Sequence, residues 1–373
     1  MNYKFVQNIK SNLFYIAWII MVIHICIANS DLQNYSISVV SYIAMSIFVL
    51  KIVLQKRYEI KEIVGIVLIL FLGLCAYRAS DDMRVLWFAV VMCASKDIDF
   101  EKIVRYNFNT MSICCILFFI LYIVGITEET MVESVRGIRH GFGLGHPNMC
   151  SAYYMLLMIQ YIYINFKKIK SIDIGSFAIG SCIMFYITKS ITGFITSFVV
   201  LVIILSLKYM PHKEKISKII IIGLLCGVAA FTIIPLVYNE HFSMLDSLMT
   251  GRLHQANYYY VKYGIHLFGN NVNEDLTSIY TNNILDIGYA KMLFNNGLIY
   301  YLVVVIGYVI VMFKTYNTKR YDLLALVACF IIYMFTENVA TYVFMNVTML
   351  LFPKVFVDTK KKMSLILKAK EEK

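Results

Sequence analysis

Hydrophobic residues run along this chain in long blocks, separated by short polar stretches that collect most of the charge. Blocks of roughly 15–20 apolar residues match the length a helix needs to cross bilayer hydrocarbon. Twelve can be placed, at about 13–29, 35–54, 63–77, 85–95, 109–126, 147–165, 172–188, 191–207, 218–237, 289–313, 321–335 and 339–353. The block at 85–95 is short, and several others need a thinned bilayer or snorkelling flanks. Leu13–Ala28 runs into Asn29, Ser30 and Asp31 with no small-residue cleavage site, so it is expected to be a retained span and not a signal peptide. The expected fold is all-α: a single polytopic helical membrane bundle over residues 1–373, with about twelve transmembrane helices and both termini cytoplasmic.

Composition removes the competing classes. A length of 373 residues allows two or three soluble domains, but 60% hydrophobic residues, 15% charged and a mean hydropathy of +0.71 describe a chain solvated mostly by lipid. The nine cysteines lie in or at the ends of apolar blocks and form no C-x-x-C pair, which argues against a disulfide framework or a metal site. A net charge of +11 suggests nucleic acid until its placement is examined. With the N-terminus inside and the spans alternating, 26 of the 34 Lys and Arg fall on the inner side, as the positive-inside rule requires. The basic tail 354–373 suits an anionic inner leaflet. No nucleic-acid partner and no cofactor are expected; G-x-x-x-x-G-K-[ST] is missing, and Gly141–Gly145 follows no predicted strand.

The eight cations left outside are Arg78, Arg84, Arg136, Arg139, Lys189, Arg252, Lys262 and Lys291. Arg78 and Arg84 have acids nearby in Asp81 and Asp82 and are expected to pair with them. Arg139 and Arg252 have no adjacent acid and are expected to bind a ligand. The densest polar stretch, Arg136–Cys150, interleaves Arg136, Arg139, His140 and His146 with four glycines, and Pro147 then opens an apolar helix. Glycine lets backbone approach a ligand closely, and the free amides of a first helical turn favour an anion. This stretch reads as a phosphate-binding mouth at the membrane surface.

The other large outer loop, 238–288, is expected to hold an amphipathic helix in MTGRLHQANYYYVKYGI, with Thr250 as N-cap and Gly264 at its end. Arg252 falls in its first turn. Cations beside helix starts thus recur at Arg139/His146, at Lys189/Ser190/Thr192 and at Arg252, and arginine's planar fork matches phosphate oxygens. A diphosphate on a long apolar tail, a polyprenyl-diphosphate sugar, fits such a set.

RHGFGLGHPN before a span resembles the motif region of Wzy-type O-antigen and exopolysaccharide repeat-unit polymerases of Gram-positive look, within the O-antigen ligase/polymerase superfamily. Similar landmarks follow in order: KSITGF (Lys189–Phe194), TGR (Thr250–Arg252), LFGN (Leu267–Asn270), D-I-G-Y (Asp286–Tyr289) and TEN (Thr336–Asn338). Where the family often has S-R-T-G, this chain has Ser190-Ile191-Thr192-Gly193, which leaves Lys189 as the only cation there. The resemblance implies a metal-independent, inverting glycosyltransferase of the plasma membrane. It would pass a growing glycan from undecaprenyl diphosphate to the terminal sugar of another lipid-linked repeat unit on the outer face. Implied partners are that lipid-linked oligosaccharide, membrane lipids, and flippase and chain-length regulator proteins.

Arg136, Arg139, His140, Lys189 and Arg252 are the candidate diphosphate ligands. The acceptor hydroxyl needs a positioned base, for which His146, His254, Asp286 and Glu337 are candidates. His146 serves equally as a cap before Pro147, and Glu337, inside an apolar hairpin, equally as a structural partner for an arginine or a backbone amide. A flippase or exporter of the same glycan is the main alternative; it should show internal repeats and broken helices. An O-antigen-ligase-type transferase is the nearer one.

Overall fold

The computed structural model describes residues 3–55, 58–134, 136–272 and 285–353. The expected basic tail (354–373) and part of the second outer loop (273–284) lie outside these. In chain order the helices are α1 (Tyr3–Ala28), α2 (Ser38–Leu54), α3 (Ile60–Ser80), α4 (Met83–Ala94) and α5 (Phe100–Ile123). A hairpin of β1 (Met131–Ser134) and β2 (Gly137–His140) follows, then α6 (Pro147–Ile164), α7 (Ser171–Thr188), α8 (Ile191–Tyr209) and α9 (Lys213–Ile233). After these come α10 (Ser243–Leu248), α11 (Arg252–Tyr263), α12 (Gly288–Lys291), α13 (Leu298–Asn317) and α14 (Tyr321–Thr336). Seven described helices are long and apolar enough to cross a membrane, and α2, α4 and α14 are shorter apolar helices. The protein is an all-α membrane protein.

The chain divides into two compact units, one of residues 1–55 and 97–210, the other of residues 56–96 and 211–373. Each has a helix buried nearly all round. In the first it is α6, with twelve of its eighteen residues buried; in the second it is α14, with thirteen of sixteen. A helix with apolar residues on every side belongs inside a bundle. Polar side chains join α6 to its neighbours. Trp18 Nε1 donates to Asn107 Oδ1 at 3.0 Å, Asn107 Nδ2 donates to Gln160 Oε1 at 3.0 Å, and Gln160 Nε2 donates to the Leu156 carbonyl at 3.1 Å. Hydrogen bonds of this kind hold helices together where lipid removes the hydrophobic drive to associate.

Two expected spans differ in the structure. Residues 339–353 are not an α-helix; they form 3-10 turns at Asn338–Thr341 and Val347–Leu351. Hydropathy reports partition into an apolar medium, which a chain buried in protein satisfies without being helical. Here Asn346 Nδ2 donates to Tyr308 Oη at 2.7 Å, the Thr348 hydroxyl lies 3.0 Å from Tyr308 Oη, and Tyr300 Oη donates to the Thr341 carbonyl at 3.4 Å. The segment therefore runs along α13 from the level of Tyr300 to that of Tyr308, about 12 Å of helix axis. The block at 289–313 is also broken. Its start is α12 and a wide π turn (Met292–Asn296), and the long helix begins only after Gly297. The π turn aims consecutive amides at one acid: Asn295 and Asn296 Nδ2 donate to Asp82 Oδ2 at 3.1 and 2.8 Å. Arg84 Nε pairs with the same carboxylate at 2.5 Å, so Arg84 is held by Asp82 as its sequence neighbourhood suggests.

Candidate functional site

In the second unit the site grows from the start of α11. Thr250 is not the N-cap. It has φ +57, Gly251 is the residue before the helix, and neither supplies a capping side chain. The acceptor is Asp246 of α10, whose Oδ1 receives the amides of Leu253 and His254 at 2.8 and 3.2 Å while Oδ2 receives Tyr238 Oη at 3.1 Å. An acid at a helix start also suits the dipole. With its first turn held by Asp246, α11 aims Arg252 inward and leaves His254 exposed, because residues two apart on a helix face different sides. His254 rests its ring against Tyr238 at 5.5 Å and does not reach the partners of Arg252.

Arg252 is 5% exposed and meets two carboxylates, Asp286 Oδ2 at 3.1 Å and Glu337 Oε1 at 3.0 Å. It also donates to the carbonyl of Thr336, the last residue of α14. That carbonyl belongs to the negative end of a helix dipole. The guanidinium therefore seals the C-terminus of α14 and binds the chain ahead of α12 to it. Gly288 permits this approach: a Cβ there would lie 3.0 Å from the carbonyls of Glu337 and Met334. No acid adjoins Arg252 along the chain, and its partners come from a distance. Asp286 and Glu337 are 34 and 85 positions away along the chain, and only folding brings them in. Burial works against the charge on Arg252, but Glu337 and Asp286 outweigh it and raise its pKa. Asp286 is the more accessible of the two acids, with its side chain 23% exposed against 10% for Glu337.

In the first unit the hairpin carries the other cations. Arg139 Nε donates to the Thr188 carbonyl at 2.7 Å and its Nη2 to Asn148 Oδ1, while Arg136 Nη1 donates to the Lys189 carbonyl at 3.4 Å. These carbonyls end α7, so both arginines serve a helix C-terminus, although the sequence pointed to helix N-termini. Lys189 is the left-handed residue that closes α7, and its Nζ lies 4.3 Å over the Tyr186 ring. His140 faces Glu129 at 3.1 Å and stacks on Phe142 at 5.6 Å. Gly143 and Gly145 of this stretch serve packing. A Cβ on Gly143 or Gly145 would lie 2.8 Å from the carbonyl of Phe118 or Asn29, and both residues have positive φ. Close approach to the ends of α5 and α1 takes the place of close approach to a ligand.

His146 is the N-cap of α6: its Nδ1 accepts the Asn148 amide at 3.1 Å. The neutral ring then carries its proton on Nε2, which makes it a donor there and not a base. Burial and the nearby Arg139 charge lower its pKa from the ordinary 6.5. The folded protein therefore binds fewer protons at this position than the unfolded chain does, so the cap's contribution is complete above pH 6.5 and is lost as the pH falls through the lowered value. Thermal melts of the purified protein should show wild type losing stability on acidification more steeply than His146→Asn, which keeps a cap acceptor and does not titrate. Parallel melting curves would remove His146 as a titrating cap.

Three candidates, Arg252, Asp286 and Glu337, are thus brought together in the second unit. Arg136, Arg139, His146 and Lys189 gather around the ends of α6 and α7 in the first. Asp246 and Asn148 were missed from sequence, and Lys291, one of the eight outer cations, is buried on α12. Among the described residues no group of three or more His, Cys, Asp or Glu is placed to hold a metal ion. No family model and no curated protein match the sequence, and no solved structure matches the fold.

Proposed function

We propose that this chain is a glycosyltransferase of the cytoplasmic membrane that passes a growing glycan from undecaprenyl diphosphate to the terminal sugar hydroxyl of a second lipid-linked repeat unit, on the outer face. The observation that carries this reading is the convergence of TGR, D-I-G-Y and TEN on one buried Arg–Asp–Glu cluster. Ionisable residues inside a membrane protein are costly, and their retention argues for function. In this reading Asp286 accepts the proton of the attacking hydroxyl, and Arg252 with Glu337 fixes its position. In this reading both termini are cytoplasmic.

Export of the same lipid-linked glycan is the second reading, and a specific observation favours it. The break at the π turn and Gly297, with the 3-10 turns of 338–351 beside α13, is the kind of discontinuity on which transporters build their sites. A deletion strain separates the two readings. Glycan of a single repeat at the cell surface supports the polymerase; lipid-linked repeats retained inside support the exporter, and unaltered surface polymer rejects both. A ligase-type transferase would instead leave full-length glycan on its carrier.

A further inference from the structure

Away from the cluster just described, the start of α9 forms a second concentration of charge. His212 adopts φ +57 just before the helix and offers no side-chain cap to its first amides. Lys213, Lys215 and Lys218 follow within two turns, and with His212, Glu214 and Tyr321 they line a cleft of about 570 Å³. The acid in this lining is already engaged, since Glu214 Oε1 pairs with Lys319 Nζ at 2.6 Å. Two of the lysines are held over aromatic rings of the α13–α14 region: Lys213 Nζ lies 5.7 Å from the centre of Tyr321 and Lys218 Nζ 5.8 Å from that of Tyr316. Further along α9, Ile219 and Ile222 are each 61% exposed, which gives the helix an apolar outer surface close to the charged cleft.

We propose that this cleft is a binding site for a phosphate group, carried either by the headgroup of an anionic lipid or by a free phosphate. Three ammonium groups and the unfilled amides of a long helix's first turn match the charge and acceptor oxygens of phosphate. The volume lies within the range of small-ligand sites, roughly 300–1,000 Å³, and exceeds what the phosphate alone fills. The neighbouring isoleucines suit an acyl chain running down α9 from a headgroup held at the lysines.

Amine acetylation read by peptide mass spectrometry tests this on the full-length protein in phosphatidylcholine nanodiscs. Phosphatidylglycerol in the disc should slow modification of Lys213, Lys215 and Lys218 relative to Lys167, an exposed lysine of another loop. Slowing by phosphatidylglycerol alone identifies a lipid headgroup; equal slowing by dissolved inorganic phosphate identifies the free anion. In Lys213→Gln/Lys218→Gln, protection of Lys215 should need about fivefold more anionic lipid for each lysine removed. Glutamine keeps helix propensity, so the fold of α9 is retained. The proposal is overturned if sodium chloride at matched ionic strength protects as well, if Lys167 is protected equally, or if the double variant behaves as wild type.

Discussion

Arg252→Ala is expected to destabilise the second unit by about 3–5 kcal/mol, the usual result of removing one partner from a buried ion pair, and to abolish polymer formation. The argument rests on what is left behind. Without the guanidinium, Asp286 and Glu337 face each other in a buried setting, and the Thr336 carbonyl at the end of α14 loses its donor. Arg252→Lys should recover only part of the loss, because an ammonium is a compact charge and cannot span two carboxylates and a carbonyl as a planar fork does. The decisive chain is Arg252→Ala/Asp286→Asn/Glu337→Gln. With both acids neutralised, the melting temperature in detergent should return most of the way to wild type while surface glycan stays unpolymerised. A melting temperature unmoved by Arg252→Ala would show that the pairing contributes nothing; normal glycan length in the triple variant would remove the cluster from the reaction.

The parts of this architecture that hydropathy and charge make readable are those governed by local composition. Long apolar blocks became α1, α3, α5, α7, α8, α9 and α13 because a helix satisfies its own backbone in lipid. Polar residues flanking different helices meet within a unit: Lys319 reaches Glu214, and Arg139 reaches the Thr188 carbonyl. What stayed hidden depends on partners distant in sequence. The cap of α11 comes from Asp246 on the preceding helix, so a search at Thr250 finds the wrong residue. Gly143 and Gly145 show why motif glycines are ambiguous, since a small residue is needed equally for a ligand or for a neighbouring carbonyl. The segment 338–351 is as apolar as a span, and only the contacts of Asn346 and Thr348 with Tyr308 reveal that protein surrounds it. The two arginines singled out for lacking an acid nearby diverge in the same way. Arg139 turns to a helix end and Arg252 to a helix end and two acids.

Asp286→Asn should lower the rate of glycan transfer by about 10²–10⁴-fold, the range a positioned base contributes, with a melting temperature close to that of wild type. Asp286 is the more accessible acid, and an amide there keeps an oxygen to accept from Arg252. Glu337→Gln should act differently. Glu337 is the more buried acid and directly follows Thr336 at the end of α14, so its loss should lower stability and transfer together. A pH profile of transfer from purified lipid-linked repeats separates a proton acceptor from a residue that only holds the cluster. Wild type should lose rate on the acid side as the acceptor becomes protonated, and Asp286→Asn should lose that limb while retaining a small residual rate. If the acid limb survives in Asp286→Asn with the rate intact, the proton goes elsewhere and Asp286 serves only to hold Arg252.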